Sequence, residues 1–175
     1  MSVALIGAGH WGKNLAANLH ALGRLAAVAE ASEALRGELA ARHPGLPVFA
    51  DHRALLASDV PAIAIATPAP THFALAREAL LAGKDVFLEK PMTLSVPEAE
   101  ALVELAAARD RVLMVGHLLI YQPCIQWIAR YLASGALGTV YSLHQERLNL
   151  GRARAVENVL WSFGVHDVAV LLHLV

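Results

Sequence analysis

Six residues near the amino terminus, Gly7-Ala8-Gly9-His10-Trp11-Gly12, place glycine at the first, third and sixth positions, directly after the apolar run at 3–6 and directly before a helical pattern. The three glycines do different things. Gly7 permits a tight turn, Gly9 lets an anionic group reach bare backbone, and Gly12 lets a helix pack closely on the preceding strand. A helix that begins there has opening N–H groups without intrahelical partners, and its dipole turns a positive end to the same spot, so the spacing suits a pyrophosphate. A glycine-rich turn that binds nothing has the same composition. Glu30 weighs against that plainer alternative. It closes a second apolar run, about 20 residues past Gly9, where a dinucleotide fold places the carboxylate that accepts hydrogen bonds from the adenosine ribose. A carboxylate there repels a 2′-phosphate and favours NAD over NADP.

Two further stretches carry side chains suited to the same cleft. Thr67-Pro68-Ala69-Pro70-Thr71-His72 follows an apolar run; its prolines delay the next helix, so backbone and the Thr67 hydroxyl could line the cleft, although an ordinary connection with Thr71 as helix cap explains the stretch as well. Glu89-Lys90-Pro91 ends another run. A lysine held at a strand end by a following proline is directed toward the nicotinamide position, whereas the same tripeptide elsewhere is a solvated turn. His10 and His72 border the expected cleft, His20, His43 and His52 fall at surface positions, and His144 and His173 could face inward. No His-x-x-x-His pair or cysteine partner accompanies them, so no metal site is expected.

The elements that would position these residues follow from hydrophobic periodicity. Apolar runs at 3–6, 25–30, 46–49, 61–66, 85–88 and 112–116 alternate with helical patterns, the signature of an α/β doubly wound parallel sheet, complete by about residue 117. Within it, Ser95 and Glu98 form an expected capping box with Pro97 in the first helical turn, and Gly83 ends the helix before the fifth strand. Beyond 117 the pattern changes. An amphipathic helix is expected over 123–134, with Ile125, Ile128 and Leu132 on one face and Gly135 ending it. An alternating strand over 139–150 and a polar loop at 151–158 then lead to a last helix. Residues 1–117 thus read as a dinucleotide-binding domain and 118–175 as the opening of a second one. Arg147 and Asn149, two apart on that strand, would share a face and could read a sugar or a diphosphate, although a solvated sheet face accounts for them equally.

Composition narrows the partners. With 14 Lys+Arg against 15 Asp+Glu and a net charge of −1, the chain has no basic excess for a nucleic acid and no basic cluster for a membrane surface. The charge-free stretch at 112–129 is interrupted by Gly116, His117, Gln122, Pro123 and Gln126, which makes it a poor spanning helix. The first apolar run lacks the basic lead of a signal peptide, and the lone Cys124 excludes an intrachain disulfide, so a reducing cytoplasm is the expected compartment.

In this order and spacing the motifs resemble the Gfo/Idh/MocA (glucose-fructose oxidoreductase, inositol dehydrogenase) family: Gly7 to Gly12, Thr67-Pro68 to Thr71-His72, Gly83-Lys84-Asp85-Val86 leading into Glu89-Lys90-Pro91, and Gly164-Val165-His166. The resemblance implies an NAD(P)-dependent oxidoreductase of sugars, cyclitols or sugar nucleotides. It further implies Lys90 as the catalytic lysine, His166 as the proton-exchanging histidine, and cofactor contacts from Gly7, Gly9, His10, Trp11, Gly12, Glu30, Thr67, Pro68, His72 and Glu89. Arg147-Leu148-Asn149-Leu150-Gly151 and the segment from Glu157 to Phe163 are similar to the branch of nucleotide-sugar 3-dehydrogenases acting on UDP-N-acetylglucosamine or its uronate, with Tyr121, Arg147, Asn149 and Trp161 toward the substrate. Two departures from the family pattern stand out: Ser162 occupies a place often held by aspartate, and Ile120 precedes Tyr121 where arginine is usual. Relatives of this kind are often dimers or tetramers and run to about twice this length, which leaves open a dinucleotide-binding module without catalytic activity.

Overall fold

The computed structural model describes residues 1–148 and 158–175. The chain divides into two compact units, Met1–Gly116 and His117–Val175.

The first unit is built on six parallel strands: β1 (Val3–Ile6), β2 (Leu25–Ala29), β3 (Val48–Phe49), β4 (Ala62–Ile65), β5 (Asp85–Leu88) and β6 (Leu113–Val115). They lie in the order β3-β2-β1-β4-β5-β6, the doubly wound order, with the direction of winding reversed between β1 and β4. Crossovers run through α1 (Gly12–Ala21), α2 (Glu33–Arg42), the single turn α3 (Arg53–Leu56), α4 (His72–Leu81) and α5 (Val96–Ala108).

Strand residues alternate between two faces, and each face fills its own core. Ala4, Ile6, Ala29, Ile63, Ile65 and Leu88 pack with Leu80 of α4 and Leu102 of α5. Leu5, Val28 and Ala64 pack with Ala16 of α1 and Leu39 of α2. All four β4 residues are buried, as a central strand covered on both sides requires.

Register matters most for the site. Ile6 is paired with Ala29 and with Ile65, Ile65 with Leu88, and Leu88 with Val115. The ladder then continues one residue further: Gly7 N–H donates to Ala29 O at 2.8 Å, Ala66 to Ile6 O at 2.9 Å, Glu89 to Ile65 O at 3.0 Å and Gly116 to Leu88 O at 2.8 Å. Glu30, Gly7, Ala66, Glu89 and Gly116 therefore stand in one row across the carboxyl edge.

Local signals are honoured unevenly. Ser32 caps α2 through its hydroxyl, which accepts from Leu35 N–H at 3.4 Å, and Gly83 leaves α4 with φ of +73°. The capping box expected at Ser95 and Glu98 does not form, because the Ser95 side chain makes no cap hydrogen bond. The Thr93 hydroxyl instead donates to Ser95 O at 2.6 Å, an alternative local closure of the same turn.

The second unit holds α6 (Pro123–Ala133) and α7 (Val165–Leu174), with a 3₁₀ turn at Leu118–Tyr121 and a π turn at Leu160–Gly164. Gly135 follows α6 with φ of +73°. The strand expected over 139–150 is not found in its described part, 139–148. A strand exists through its ladder, and among the described residues no backbone pairs with this segment. Asn149 and the expected loop at 151–158, apart from Asn158, lie outside the described residues.

Leu80, fully buried between α4 and the sheet, tests this core. Leu80→Ala is expected to cost about 2–5 kcal/mol in urea denaturation, whereas Val103→Ala, on the exposed side of α5, should stay within about 0.5 kcal/mol.

Candidate functional site

The carboxyl edge of the sheet owes its shape to the turn after β1. Gly7 takes φ of +87°, and a Cβ on it would meet Thr67 Cγ2 at 2.7 Å. At Gly12, where α1 begins, a Cβ would lie 2.0 Å from the Gly7 carbonyl oxygen, so only glycine allows helix and strand end to approach this closely. Gly9 is different in kind: its Cβ would meet nothing within 4 Å, and the bare backbone there borders open space. The first turn of α1 itself carries no acid to compete for the positive end of the helix.

Glu30 lies across the row from this turn. Its Oε2 accepts from Ala8 N–H at 2.7 Å and its Oε1 from Ser32 N–H at 2.9 Å. An ionised carboxylate has about four lone-pair sites, so capacity for ribose hydroxyls remains. Arg36 braces the same corner, donating from Nη1 to the carbonyls of Glu30 and Ala31 at 2.8 and 2.7 Å. A cavity of about 450 Å³ opens beside them, lined by Ile6, Gly7, Glu30, His52, Thr67 and Leu75 among others.

On the far side of the row, Glu89 is 7% exposed, and its Oε1 accepts from the Trp11 indole N–H at 2.7 Å. Its Oε2 accepts from Lys90 N–H at 3.3 Å. Burial holds the Glu89 carboxyl above its ordinary range, against the opposing pull of the Trp11 and Lys90 hydrogen bonds. Lys90 itself is half-buried, and the Lys90–Pro91 peptide is cis. His72 lies behind the edge rather than on it: it is 1% exposed, with Nδ1 2.7 Å from Pro91 O and Nε2 2.9 Å from Thr67 O. Thr67 Oγ1 accepts from Thr71 Oγ1 at 2.7 Å, while Pro68 and His10 are exposed.

These features, a glycine turn open at Gly9, an acid-free helix start, a carboxylate at the β2 end and a cavity beside it, fit an adenine dinucleotide. The family model described as an oxidoreductase family with an NAD-binding Rossmann fold, Gfo/Idh/MocA, matches residues 1–117. The chain belongs to that family. It is 36% identical to UDP-N-acetylglucosamine 3-dehydrogenase of Acidithiobacillus ferrooxidans over 99% of its own length and 54% of that protein's. A solved structure of that enzyme superposes with a TM-score of 0.86, covering 99% of this chain and 56% of the other. Inositol 2-dehydrogenase of Rubrobacter xylanophilus is 38% identical over 79% of this chain and 41% of its own. GenD2 from gentamicin A biosynthesis, solved in complex with NAD, is 30% identical with a TM-score of 0.86, over 99% of this chain and 53% of that one. The chain thus spans about half the length of these Gfo/Idh/MocA relatives.

The remaining candidates lie in the second unit. Tyr121 is exposed and Trp161 half-buried, its N–H donating to Asn158 Oδ1 at 3.1 Å. Arg147 Nε donates to Asp167 Oδ1 at 2.7 Å, beside half-buried His166. Ser162 is buried, its hydroxyl donating to Asn158 O at 3.0 Å.

Four histidines differ from expectation. His43 is buried and tilts against His20 with ring centroids 4.4 Å apart, because α2 turns that end toward α1. His52 is half-buried, lines the cavity, and has Nε2 2.8 Å from Glu78 Oε2. Its polar flanks, Asp51 and Arg53, concealed this, and only the strand-end rule for β3 could have pointed to it. His144 and His173, which could have faced inward, are exposed. Among the described residues, no group of three or more His, Cys, Asp or Glu could hold a metal, and no helix is long and apolar enough to cross a membrane.

The glycines separate fold from ligand. Gly12→Ala should lower stability by about 2 kcal/mol or more and abolish NAD binding. Gly9→Ala should melt like the unaltered protein yet bind NAD at least about tenfold more weakly, as read by calorimetry and thermal unfolding together. A pH series checks Glu89. The folded protein retains a proton that the unfolded chain has released, so the contribution of Glu89 to stability is fully present below the unfolded pKa and is lost as pH rises through the folded one. Denaturation across the mildly acidic range should show that downward slope, and Glu89→Gln should remove it.

Proposed function

We propose that this chain provides the NAD-binding half, and the N-terminal part of the substrate domain, of a cytoplasmic oxidoreductase acting on a secondary alcohol of a sugar or nucleotide sugar. The observation that supports it most is the row at the carboxyl edge. One register sets the glycine turn, Glu30 and the Glu89-Lys90 pair in a single row along the carboxyl edge of the sheet.

In this scheme Gly7, Gly9, His10, Trp11 and Gly12 receive the pyrophosphate, Glu30 takes the adenosine ribose, and Thr67 and Pro68 form one wall. His72 and Glu89 serve from behind that surface. The Glu30 carboxylate disfavours a 2′-phosphate, so NAD is the preferred cofactor. Held by these residues, NAD would supply the acceptor for a hydride from the substrate carbon. The chain's own groups manage the proton. Lys90 donates a hydrogen bond to the reacting oxygen and stabilises the developing alkoxide, and His166 removes the hydroxyl proton, imidazole being the side chain that titrates nearest neutrality. Tyr121, Arg147, Asn149 and Trp161 contact the sugar or its diphosphate. The Arg147 guanidinium keeps donors for an anion beyond the one given to Asp167. Similarity over nearly the whole chain to a UDP-N-acetylglucosamine 3-dehydrogenase favours a nucleotide sugar.

A second possibility is a dinucleotide-binding module without turnover. Titration with NAD and NADP followed by assays on UDP-N-acetylglucosamine and inositol separates the two. Tight NAD binding with turnover supports the enzyme, and binding without turnover supports the module. In an active preparation, Lys90→Ala and His166→Ala should each lower kcat by about 10²–10⁴ while NAD affinity changes little. Unchanged turnover in both would refute their roles.

A further inference from the structure

Between the glycine turn and the lysine lies a contact that joins segments far apart in the sequence. The Trp11 indole N–H donates to Glu89 Oε1 at 2.7 Å across 78 residues of sequence, and the other oxygen of the same carboxylate accepts from Lys90 N–H at 3.3 Å. Trp11 is 42% exposed, whereas the carboxylate it reaches is 7% exposed. The space for that carboxylate is kept by a third residue in the row: a Cβ on Gly116 would lie 3.1 Å from Glu89 Oε1 and 3.2 Å from Phe87 Cζ. A buried carboxylate is costly unless its lone pairs are satisfied, and both donors here come from segments that border the cleft. Glu89 is therefore poorly placed to offer its oxygens to a ligand and well placed to hold two ligand-facing segments in a fixed relation.

We propose that Glu89 is a positioning residue that ties the glycine turn, through Trp11, to the backbone of Lys90, so that seating of the dinucleotide and placement of the lysine amine are set together. The role toward the dinucleotide rests on the NAD-linked function proposed above; the tie itself does not. Seating a pyrophosphate on the turn fixes Trp11, Trp11 fixes the carboxylate, and the carboxylate fixes the strand end from which Lys90 projects. Glutamine at position 89 has one acceptor oxygen and so keeps one of the two bonds. Phenylalanine at position 11 keeps the ring and removes the donor.

The test is a double-mutant cycle on the 175-residue chain with Trp11→Phe, Glu89→Gln and both together, and with Gly116→Ala as an independent way to displace the carboxylate. NAD affinity is measured by calorimetry. Lys90 reactivity toward an amine acylating reagent is followed by peptide mass spectrometry, with Lys13 as internal reference, and thermal unfolding confirms that each variant is folded. Each single change should weaken NAD binding about tenfold and alter the Lys90 labelling rate, the double variant should be no worse than the poorer single one, and Gly116→Ala should follow Glu89→Gln. Losses that multiply in the double variant, or Lys90 labelling unchanged in every folded variant, overturn the proposal. Should the unaltered chain bind no NAD, the dinucleotide function fails, and the labelling rates still decide the tie: changed rates uphold it and unchanged rates overturn it.

Discussion

The tight approach of α1 to the end of β1 governs what else is allowed there. Because α1 starts so near the end of β1 that a Cβ at Gly12 would lie 2.0 Å from the Gly7 carbonyl oxygen, the turn between them has little freedom. That compression brings the opening N–H groups of α1 over the carboxyl edge. A looser turn would carry the helix dipole away from the crevice and leave Gly9 facing solvent with nothing to contribute. The buried β1 and β4 strands supply the rigid floor, since their pairing from Val3 with Ala62 to Ile6 with Ile65 fixes where the turn begins.

Around that turn the structure places two carboxylates on opposite sides. Glu30, past the end of β2, accepts from Ala8 N–H, and Glu89, past the end of β5, accepts from the Trp11 indole. Acids beside an anion site look contradictory, yet both are held by N–H donors, so their charge is spread into the loop backbone and the indole. Their exposures differ in the direction the roles proposed for them require. Glu30 is partly open and able to meet ribose hydroxyls, while Glu89 is enclosed with its carboxyl held above the ordinary range by burial. Two residues of one type thus differ in surroundings: Glu30 lines the cavity beside β2, whereas Glu89 is enclosed.

Much of the first unit was legible in the sequence, for a local reason. Each strand is a short apolar run bounded by a helix start, and Gly7 and Gly12 impose backbone requirements that other side chains cannot meet. What was not legible depends on partners distant in the chain. His43 is polar and follows Arg42, yet it is covered because His20 meets it from α1. His72 borders the loop in sequence but is drawn beneath it by carbonyls of Pro91 and Thr67. The capping box at Ser95 had the right residue types and lost to Thr93, two positions away, which closes the same turn with a different hydroxyl. The Trp11–Glu89 contact has no local signature at all.

Residues 139–148 show the same limit from the other side. Their alternation is that of a strand with one polar face, but alternation records only which side chains could share a face. The strand forms when a neighbouring backbone takes up its N–H and C=O groups, and among the described residues none does. Helices carry their hydrogen bonds within themselves, which is why α6 and α7 appear where periodicity places them while the strand between them does not. In the first unit every strand except β3 and β6 has partners on both sides, so pattern and structure agree there. Sequence pattern is a sufficient guide where the partner lies within the same unit, and the site residues of β1, β2, β4 and β5 meet that condition, whereas Arg147 does not.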